Sequence, residues 1–243
     1  MNIVVIGNGM IGSNIAKQMR ERNIDDIYTV DIDPKTKPDY TNMLDFYNDK
    51  GVADVYIIAV WTQDQVLKIT GSIVYRNHPL ISLETACDIG TYHEMKKIVK
   101  NNADLVVFHE RFVDRDPSHN IFNQPRVMGG DYISGRRFYL RYMLWENIIV
   151  TNDPELAEIC KVAENAYRYV EIATAQELKM MVDERFDELR RLMNTKWNIN
   201  MLEARDGIGG HCLGKDINII NKRWNKNDIF KAAEKSNKKY VSH

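Results

Sequence analysis

A glycine-rich turn set between a short apolar strand and an amphipathic helix constrains this chain more than any other feature. Ile3-Val4-Val5-Ile6 runs into Gly7-Asn8-Gly9-Met10-Ile11-Gly12, and Ser13 to Arg22 follows with Ile15, Ala16 and Met19 at helical spacing. A Gly-x-Gly-x-x-Gly run is weak alone, but a strand before it and a helix after it are the context in which it opens a dinucleotide-binding βαβ unit. Glycines there permit a tight turn and let backbone N–H groups approach a pyrophosphate at the helix N-terminus. A second strand, Ile27 to Val30, ends at Asp31, nineteen residues beyond Gly12. An acid at that place binds the ribose hydroxyls and repels a 2′-phosphate, so NAD is expected over NADP, with Asp33 as a second candidate for the same role. Gly7, Gly9, Met10, Ile11, Gly12 and Asp31 are thus the expected cofactor contacts. The competing reading is a tight strand-to-helix turn with no ligand.

Beyond Asp31, strand and helix signals alternate. Val55–Val60, Leu80–Leu83 and Leu105–Phe108 are continuous apolar runs of the kind found in buried parallel strands, separated by helical stretches near Gln63–Ile69 and Tyr92–Val99. The pattern predicts an α/β fold with a Rossmann-type doubly wound parallel sheet. In such sheets ligands bind beyond the carboxyl ends of the strands, which places Trp61-Thr62, Glu84-Thr85 and His109-Glu110 around one crevice.

The composition excludes several alternatives. A formal charge of −1, with 28% charged residues among 243, argues against a broad nucleic-acid footprint. The lysines from Lys222 to Lys239 are interleaved with Asp228 and Glu234, which reads as a solvated helix. No apolar run approaches the ~20 residues of a membrane span, and a strand stands where a signal peptide would be; a cytoplasmic protein without membrane contact is expected. Three widely spaced cysteines suit a reducing compartment. Cys87 and Cys160 have no second Cys or His beside them at metal-site spacing, so no metal is expected.

After Ile148-Ile149-Val150 the character changes. Asp153, Pro154 and Glu155 form a helix start, and a helical pattern runs without Gly or Pro to Gly207, clearest from Leu156 to Leu192. The expected domains are 1–152, the NAD-binding unit, and 153–243, a helical unit with a long central helix. On that helix Lys161 and Asn165 are four apart and share a face, either as a functional pair or as ordinary surface polar groups. Gly207-Ile208-Gly209-Gly210-His211-Cys212-Leu213-Gly214-Lys215-Asp216 then crowds glycines around one cysteine. If a helix begins near Cys212, Asp216 lies on the same face and the helix N-terminus favours the thiolate. The alternative is a glycine turn followed by a small buried cysteine.

These segments together resemble the nucleotide-sugar 6-dehydrogenases, the UDP-glucose and UDP-N-acetylhexosamine dehydrogenase family. The matches run in order: the glycine fingerprint with Asp31; Ala59-Val60-Trp61-Thr62, where the family has AVPTP; Glu84-Thr85, where it has EST; His109-Glu110-Arg111, where it has PER or PEF; Pro125 to Gly130; Ala157 to Arg168; and Gly207 to Asp216. The resemblance implies oxidation of a sugar C6 alcohol to a carboxylate in two hydride transfers to NAD. Cys212 would form a thiohemiacetal and then a thioester, with Glu110 as base or proton shuttle in hydrolysis. Lys161 and Asn165 would stabilise oxyanions at C6, and Asp216 and Thr62 would hold a water. Thr62, Thr85 and Lys215 join the cofactor contacts by the same implication.

The departures from the family are Trp61 and Gln63 in place of prolines, His109 in place of a proline, and Ala86 in place of a hydroxyl residue. The sequence ends about thirty residues past Cys212, where the family continues into a uridine-diphosphate-binding domain. The expectation is therefore an active, minimal NAD-dependent 6-dehydrogenase that takes a smaller or differently carried sugar or is completed by a separate partner chain; the alternatives are a non-catalytic NAD-binding or assembly module and a different small-alcohol dehydrogenase using the same crevice. His109-Glu110-Arg111 and the run from Glu164 to Arg168 favour the N-acetylhexosamine branch, whereas Lys215-Asp216 favours the UDP-glucose branch. A homodimer through the long helix is also expected, from its length and from Val162, Ala166, Ile172 and Ala173 as apolar positions in excess of what one small domain covers.

Overall fold

The computed structural model describes residues 1–111, 116–209 and 211–242. Two compact units divide the chain, Met1–Cys160 and Lys161–His243. The first contains strands β1 (Asn2–Ile6), β2 (Asp26–Val30), β3 (Val55–Ile58), β4 (Leu80–Leu83), β5 (Asp104–Val107), β6 (Arg126–Gly130) and β7 (Ile148–Val150). Its helices are α1 (Met10–Arg20), α2 (Met43–Lys50), α3 (Gln63–Ser72), α4 (Thr91–Val99) and α5 (Tyr132–Tyr139). Helix α6 (Pro154–Val182) begins in the first unit and continues in the second, where α7 (Phe186–Met193), α8 (His211–Arg223) and α9 (Asp228–Val241) follow.

The strands form one sheet in the order β2-β1-β3-β4-β5-β6-β7, and β1 to β5 are all parallel. Its apolar runs are continuous rather than alternating because helices cover both faces. Ile3, Val5, Val55, Ile57 and Val106 pack on one side with Ile15 and Met19 of α1 and Phe138 and Tyr139 of α5. Val4, Ile6, Tyr56, Ile58, Leu105 and Val107 pack on the other with Phe46 of α2, Val66 of α3 and Met95 and Val99 of α4. The chain reverses direction across the sheet between β1 and β3, which defines the ligand crevice of a doubly wound fold.

Two features depart from the sequence expectation. Strand β6 runs antiparallel to β5, with Val106 opposite Gly130 and Val107 opposite Gly129, so the sheet is not wholly parallel. Strand propensity hides β6, because glycines are depleted in strands. Here they are needed: a Cβ on Gly129 would lie 2.6 Å from Pro154 Cα, and one on Gly130, at φ +96°, would lie 2.4 Å from Leu105 O. The second departure concerns the long helix. It ends at Val182, a single turn of 3-10 helix (Asp183–Arg185) intervenes, and α7 stops at Met193. Asp183 has φ +50°, a left-handed conformation that Asp tolerates better than most residues. The break lets Phe186, 4% exposed, pack against Ala175 and Ala204, and an absence of Gly and Pro gives no warning of it. Past Met193, Asn194 and Met201 bond each other: Met201 N–H donates to Asn194 Oδ1 (2.6 Å) and Asn194 Nδ2 donates to Met201 O (3.1 Å).

The Glu158 side chain ties the first turns of α6 to the start of α4. Helix α4 starts at Gly90 with no side-chain cap of its own, and the Glu158 carboxylate of α6 supplies one by accepting from Gly90 N–H and Tyr92 N–H, both at 2.7 Å. Burial pushes the Glu158 carboxyl up to about 7, against the opposing pull of those two N–H groups. An acid raised in the folded state stabilises it below the unfolded pKa, and that contribution is lost as pH rises through the folded value. We expect wild-type stability to fall, relative to Glu158→Gln, between pH 4.5 and 7 by at most roughly 3 kcal/mol. Urea unfolding of both proteins across that range measures the difference; parallel curves would refute it.

Candidate active site

The glycine turn sits at the sheet's reversal. Gly7 has φ +96°, and a Cβ there would lie 2.5 Å from Ala59 O at the end of β3. A Cβ on Gly12 would lie 1.8 Å from Gly7 O, so no other residue lets α1 start this close to the turn. Gly9, by contrast, faces open space and caps α1 without a side-chain hydrogen bond. The N–H groups of the first turn, from Met10 and Ile11 onward, are left for an anion, which is the cradle a pyrophosphate needs.

Asp31 stands beyond β2 and is fixed from two directions. Its Oδ2 accepts from Asn8 N–H (2.6 Å) and its Oδ1 from Asp33 N–H (2.9 Å). Asn8 also donates from Nδ2 to Thr36 O (2.7 Å), tying the glycine turn to the loop after β2. Asp33 caps a short turn by accepting from Lys35 N–H (2.9 Å), so of the two acids Asp31 is the one built into the glycine turn. The cradle and this acid fit a dinucleotide.

The next three strands bring their carboxyl ends to the same edge. Ile58, Leu83 and Val107 are in register across β3, β4 and β5, and Thr62, Thr85 and Glu110 follow them within four residues. Thr62 caps α3 in a reciprocal box: Gln65 N–H donates to Thr62 Oγ1 (3.3 Å), and Gln65 Oε1 accepts from Thr62 N–H (3.0 Å). Thr85 donates its hydroxyl to Val60 O (2.5 Å), joining the ends of β3 and β4. Trp61 is 48% exposed beside them. His109 and Glu110 are buried at the end of β5, and Glu110 N–H donates to Glu84 O (3.2 Å). Beneath this turn lies a network that the sequence does not announce. Arg126 of β6, fully buried, pairs with the Glu84 carboxylate, which also accepts from Tyr139 and from Ser82 Oγ (3.0 Å). Burial pushes the Glu84 carboxyl up, while Arg126 pulls it down.

The second unit assembles the cysteine motif. Helix α8 starts at His211, so Cys212, which is exposed, occupies its first turn, and Asp216 is four residues on along the same face. Asp216 is 1% exposed; its Oδ2 accepts from Asn165 Nδ2 of α6 at 2.6 Å, and Lys215 Nζ lies 3.8 Å from its Oδ1. Lys161 is half-buried one turn before Asn165. Gly210, within the motif, lies outside the described residues. Gly207 has φ +128°, and a Cβ on it would lie 2.9 Å from Val241 Cγ2. The adjoining turn is pinned by Asn237 of α9, whose Oδ1 accepts from Ile208 N–H (2.8 Å) and from Gln176 Nε2 of α6 (3.1 Å). Neither Asn237 nor Gln176 carries a sequence signal beyond a polar residue at a helix position.

The first unit, with its glycine turn, is a Rossmann-type α/β fold, and a helical unit follows it along the chain. A UDP-D-ManNAc dehydrogenase from Pyrococcus horikoshii superposes with a TM-score of 0.83 at 20% identity, covering 99% of this chain and 69% of that one. Residues 155–239 match the model of the central domain of the UDP-glucose/GDP-mannose dehydrogenase family. Among curated relatives, a UDP-N-acetyl-D-mannosamine dehydrogenase of Yersinia pestis is 35% identical over 44% of this chain and 27% of its own length. An NDP-N-acetyl-D-galactosaminuronic acid dehydrogenase of Ralstonia solanacearum is 28% identical over 59% of this chain and 38% of its own. The resemblance to nucleotide-sugar dehydrogenases is borne out, over matches that span roughly a quarter to two fifths of these curated relatives.

Two substitutions probe the geometry directly. Gly12→Ala forces a Cβ onto Gly7 O and should lower stability by about 1–3 kcal/mol, the range for overpacking; thermal unfolding indistinguishable from wild type would contradict the close approach. Asn237→Ala leaves Ile208 N–H and Gln176 unserved and should cost about 1–3 kcal/mol. Amide exchange at residues 205–209 should accelerate in that variant, and unchanged protection would remove Asn237 as the pin.

Proposed function

We propose that this chain is an NAD-dependent 6-dehydrogenase that oxidises the C6 alcohol of a sugar, nucleotide-linked and of N-acetylhexosamine or glucose type, to a carboxylate. The observation that carries the reading is the placement of Cys212: an exposed thiol in the first turn of α8, with Asp216 four residues on, buried and held by Asn165 at 2.6 Å. The glycine cradle and Asp31 support NAD as the cofactor, with Gly7, Gly9, Met10, Ile11 and Gly12 at the pyrophosphate and Thr62, Thr85 and Lys215 as further contacts. When bound, NAD supplies the hydride acceptor for each of the two oxidations.

The residues divide the remaining work. A base takes the C6 hydroxyl proton as the alcohol becomes an aldehyde, and Asp216 and Thr62 are each assigned to holding a water. Cys212 Sγ adds to the aldehyde carbon and its oxygen gains a proton, giving a thiohemiacetal that cannot diffuse away. Loss of the second hydride leaves a thioester on Sγ. Water, activated by Glu110, attacks the thioester carbonyl; the carbon–sulfur bond breaks, releasing carboxylate and restoring the thiol. Lys161 and Asn165 stabilise the oxyanions formed at C6, because a preorganised cation and amide donor count for more in a dry site than in water. Asn165 is oriented for this by its bond to Asp216.

Pairing of two copies along α6 belongs to the same proposal, on changed grounds. Val162, Ala166, Ile172 and Ala173 are each at most 3% exposed within one copy and are not spare apolar surface. Tyr167 (65% exposed) and Met181 (68%) are the apolar side chains α6 leaves to solvent in its second-unit part. The chain's own completeness toward a nucleotide sugar, or its need of a partner chain, is decided by the same assay as the activity.

A panel of UDP-sugars and free sugars should yield two NADH per carboxylate formed. NAD binding without reduction by any of them would make the chain a binding module instead. Cys212→Ala should abolish acid formation while leaving NAD affinity intact; full carboxylate production by that variant would remove the nucleophile. Asp31→Ala should weaken NAD binding about 10- to 100-fold, the loss expected for hydrogen bonds to a charged group, and calorimetry showing tighter NADP than NAD binding in the wild type would sink the cofactor assignment.

A further inference from the structure

We infer that Arg126 and Glu84 form a positioning pair that sets the backbone of the His109–Arg111 turn and thereby aims Glu110; the inference rests on the role proposed for Glu110 above. The Arg126 side chain is fully buried and crosses from β6 beneath the end of β5. Its Nε donates to His109 O (3.2 Å) and its Nη2 to Phe108 O, the two carbonyls that precede Glu110, while its guanidinium lies 3.8 Å over the Phe108 ring. Glu84, the residue after β4, grips the same turn. Its carbonyl oxygen accepts from Glu110 N–H (3.2 Å) and stands 3.2 Å from His109 Nδ1, and its carboxylate neutralises Arg126. Arg111 adds a third tie, donating from Nη1 to Pro125 O (2.7 Å) at the start of β6.

A stability role alone does not account for this arrangement. Removing two charges from water costs several kcal/mol per ion, and apolar replacements of buried ion pairs are commonly neutral or stabilising. Arg126 Nη1 is, moreover, buried without a hydrogen-bond partner among the described residues, a further cost. What an apolar pair cannot do is donate in fixed directions to consecutive carbonyls. A guanidinium does so because its donors form a rigid planar fork. The turn that carries Glu110 is thus fixed by a charged fork on one side and the Glu84 carbonyl on the other, and an error of about 1 Å in such a group can cost on the order of 100-fold in rate.

The test compares wild type with the volume-matched double variant Glu84→Leu/Arg126→Met. Thermal stability should fall, because the Phe108 and His109 carbonyls lose their donor and Ser82 and Tyr139 lose the carboxylate acceptor; amide exchange at residues 108–111 should accelerate at least tenfold beyond that in the rest of the sheet, and kcat should fall about 10- to 100-fold with KM for NAD unchanged. Wild-type exchange and wild-type kcat in the folded double variant would overturn the positioning role. If that variant does not fold, Glu84→Gln, which keeps the shape and removes the charge, takes its place: faster exchange and a lower kcat support the role, and wild-type values of both overturn it. If wild type shows no NAD reduction with any sugar, the functional reading fails by itself, and the exchange measurement still decides whether the pair holds the turn.

Discussion

The close approach of two backbones at the reversal of the sheet governs everything built above it. Gly7 lies against Ala59 at the end of β3, and Gly12 lies against Gly7, at distances that leave no room for a methyl group at either position. Because β1 and β3 are neighbours in register from Ile3–Val55 to Ile6–Ile58, that contact is the direct continuation of the strand pairing. It fixes where α1 begins, and so where its free N–H groups point. Asn8, between the two glycines, transmits the position outward by donating to Asp31 through its N–H and to Thr36 through its side chain. A single steric constraint therefore aligns the glycine turn, the start of α1 and Asp31 together.

The parallel half of the sheet is legible in the sequence because its signals are local and redundant. Continuous β-branched runs, a glycine turn at fixed spacing and an acid nineteen residues on all name the same topology. The strand at Leu80–Leu83 needs no tertiary information, and the motif at Gly207–Asp216 needs only a helix start at His211 to bring Cys212 and Asp216 onto one face. The resemblance to nucleotide-sugar dehydrogenases is carried by those same segments.

What escapes the sequence is tertiary in origin. Strand β6 is built on glycines whose value lies in what they avoid striking, namely Leu105 O and Pro154 Cα, which are distant in sequence. Asp183 interrupts the long helix through a left-handed backbone that Asp merely tolerates, and the reward, burial of Phe186 against Ala175 and Ala204, is invisible to periodicity. Glu158 reads as one more acid in a helix, yet it caps a helix sixty-odd residues earlier in the chain. Val162, Ala166, Ile172 and Ala173 look like surplus apolar surface only because a helical wheel cannot show what else packs on it.

Asn237 gives the second unit an unusual dependence. Its one carboxamide oxygen serves both the turn preceding Cys212 and Gln176 on α6, and it stands on α9, the element farthest along the chain. The loop that leads to the exposed Cys212 is thus braced by a segment that is synthesised after it. During translation the loop before Cys212 emerges, and remains unbraced, until residues past 237 leave the ribosome.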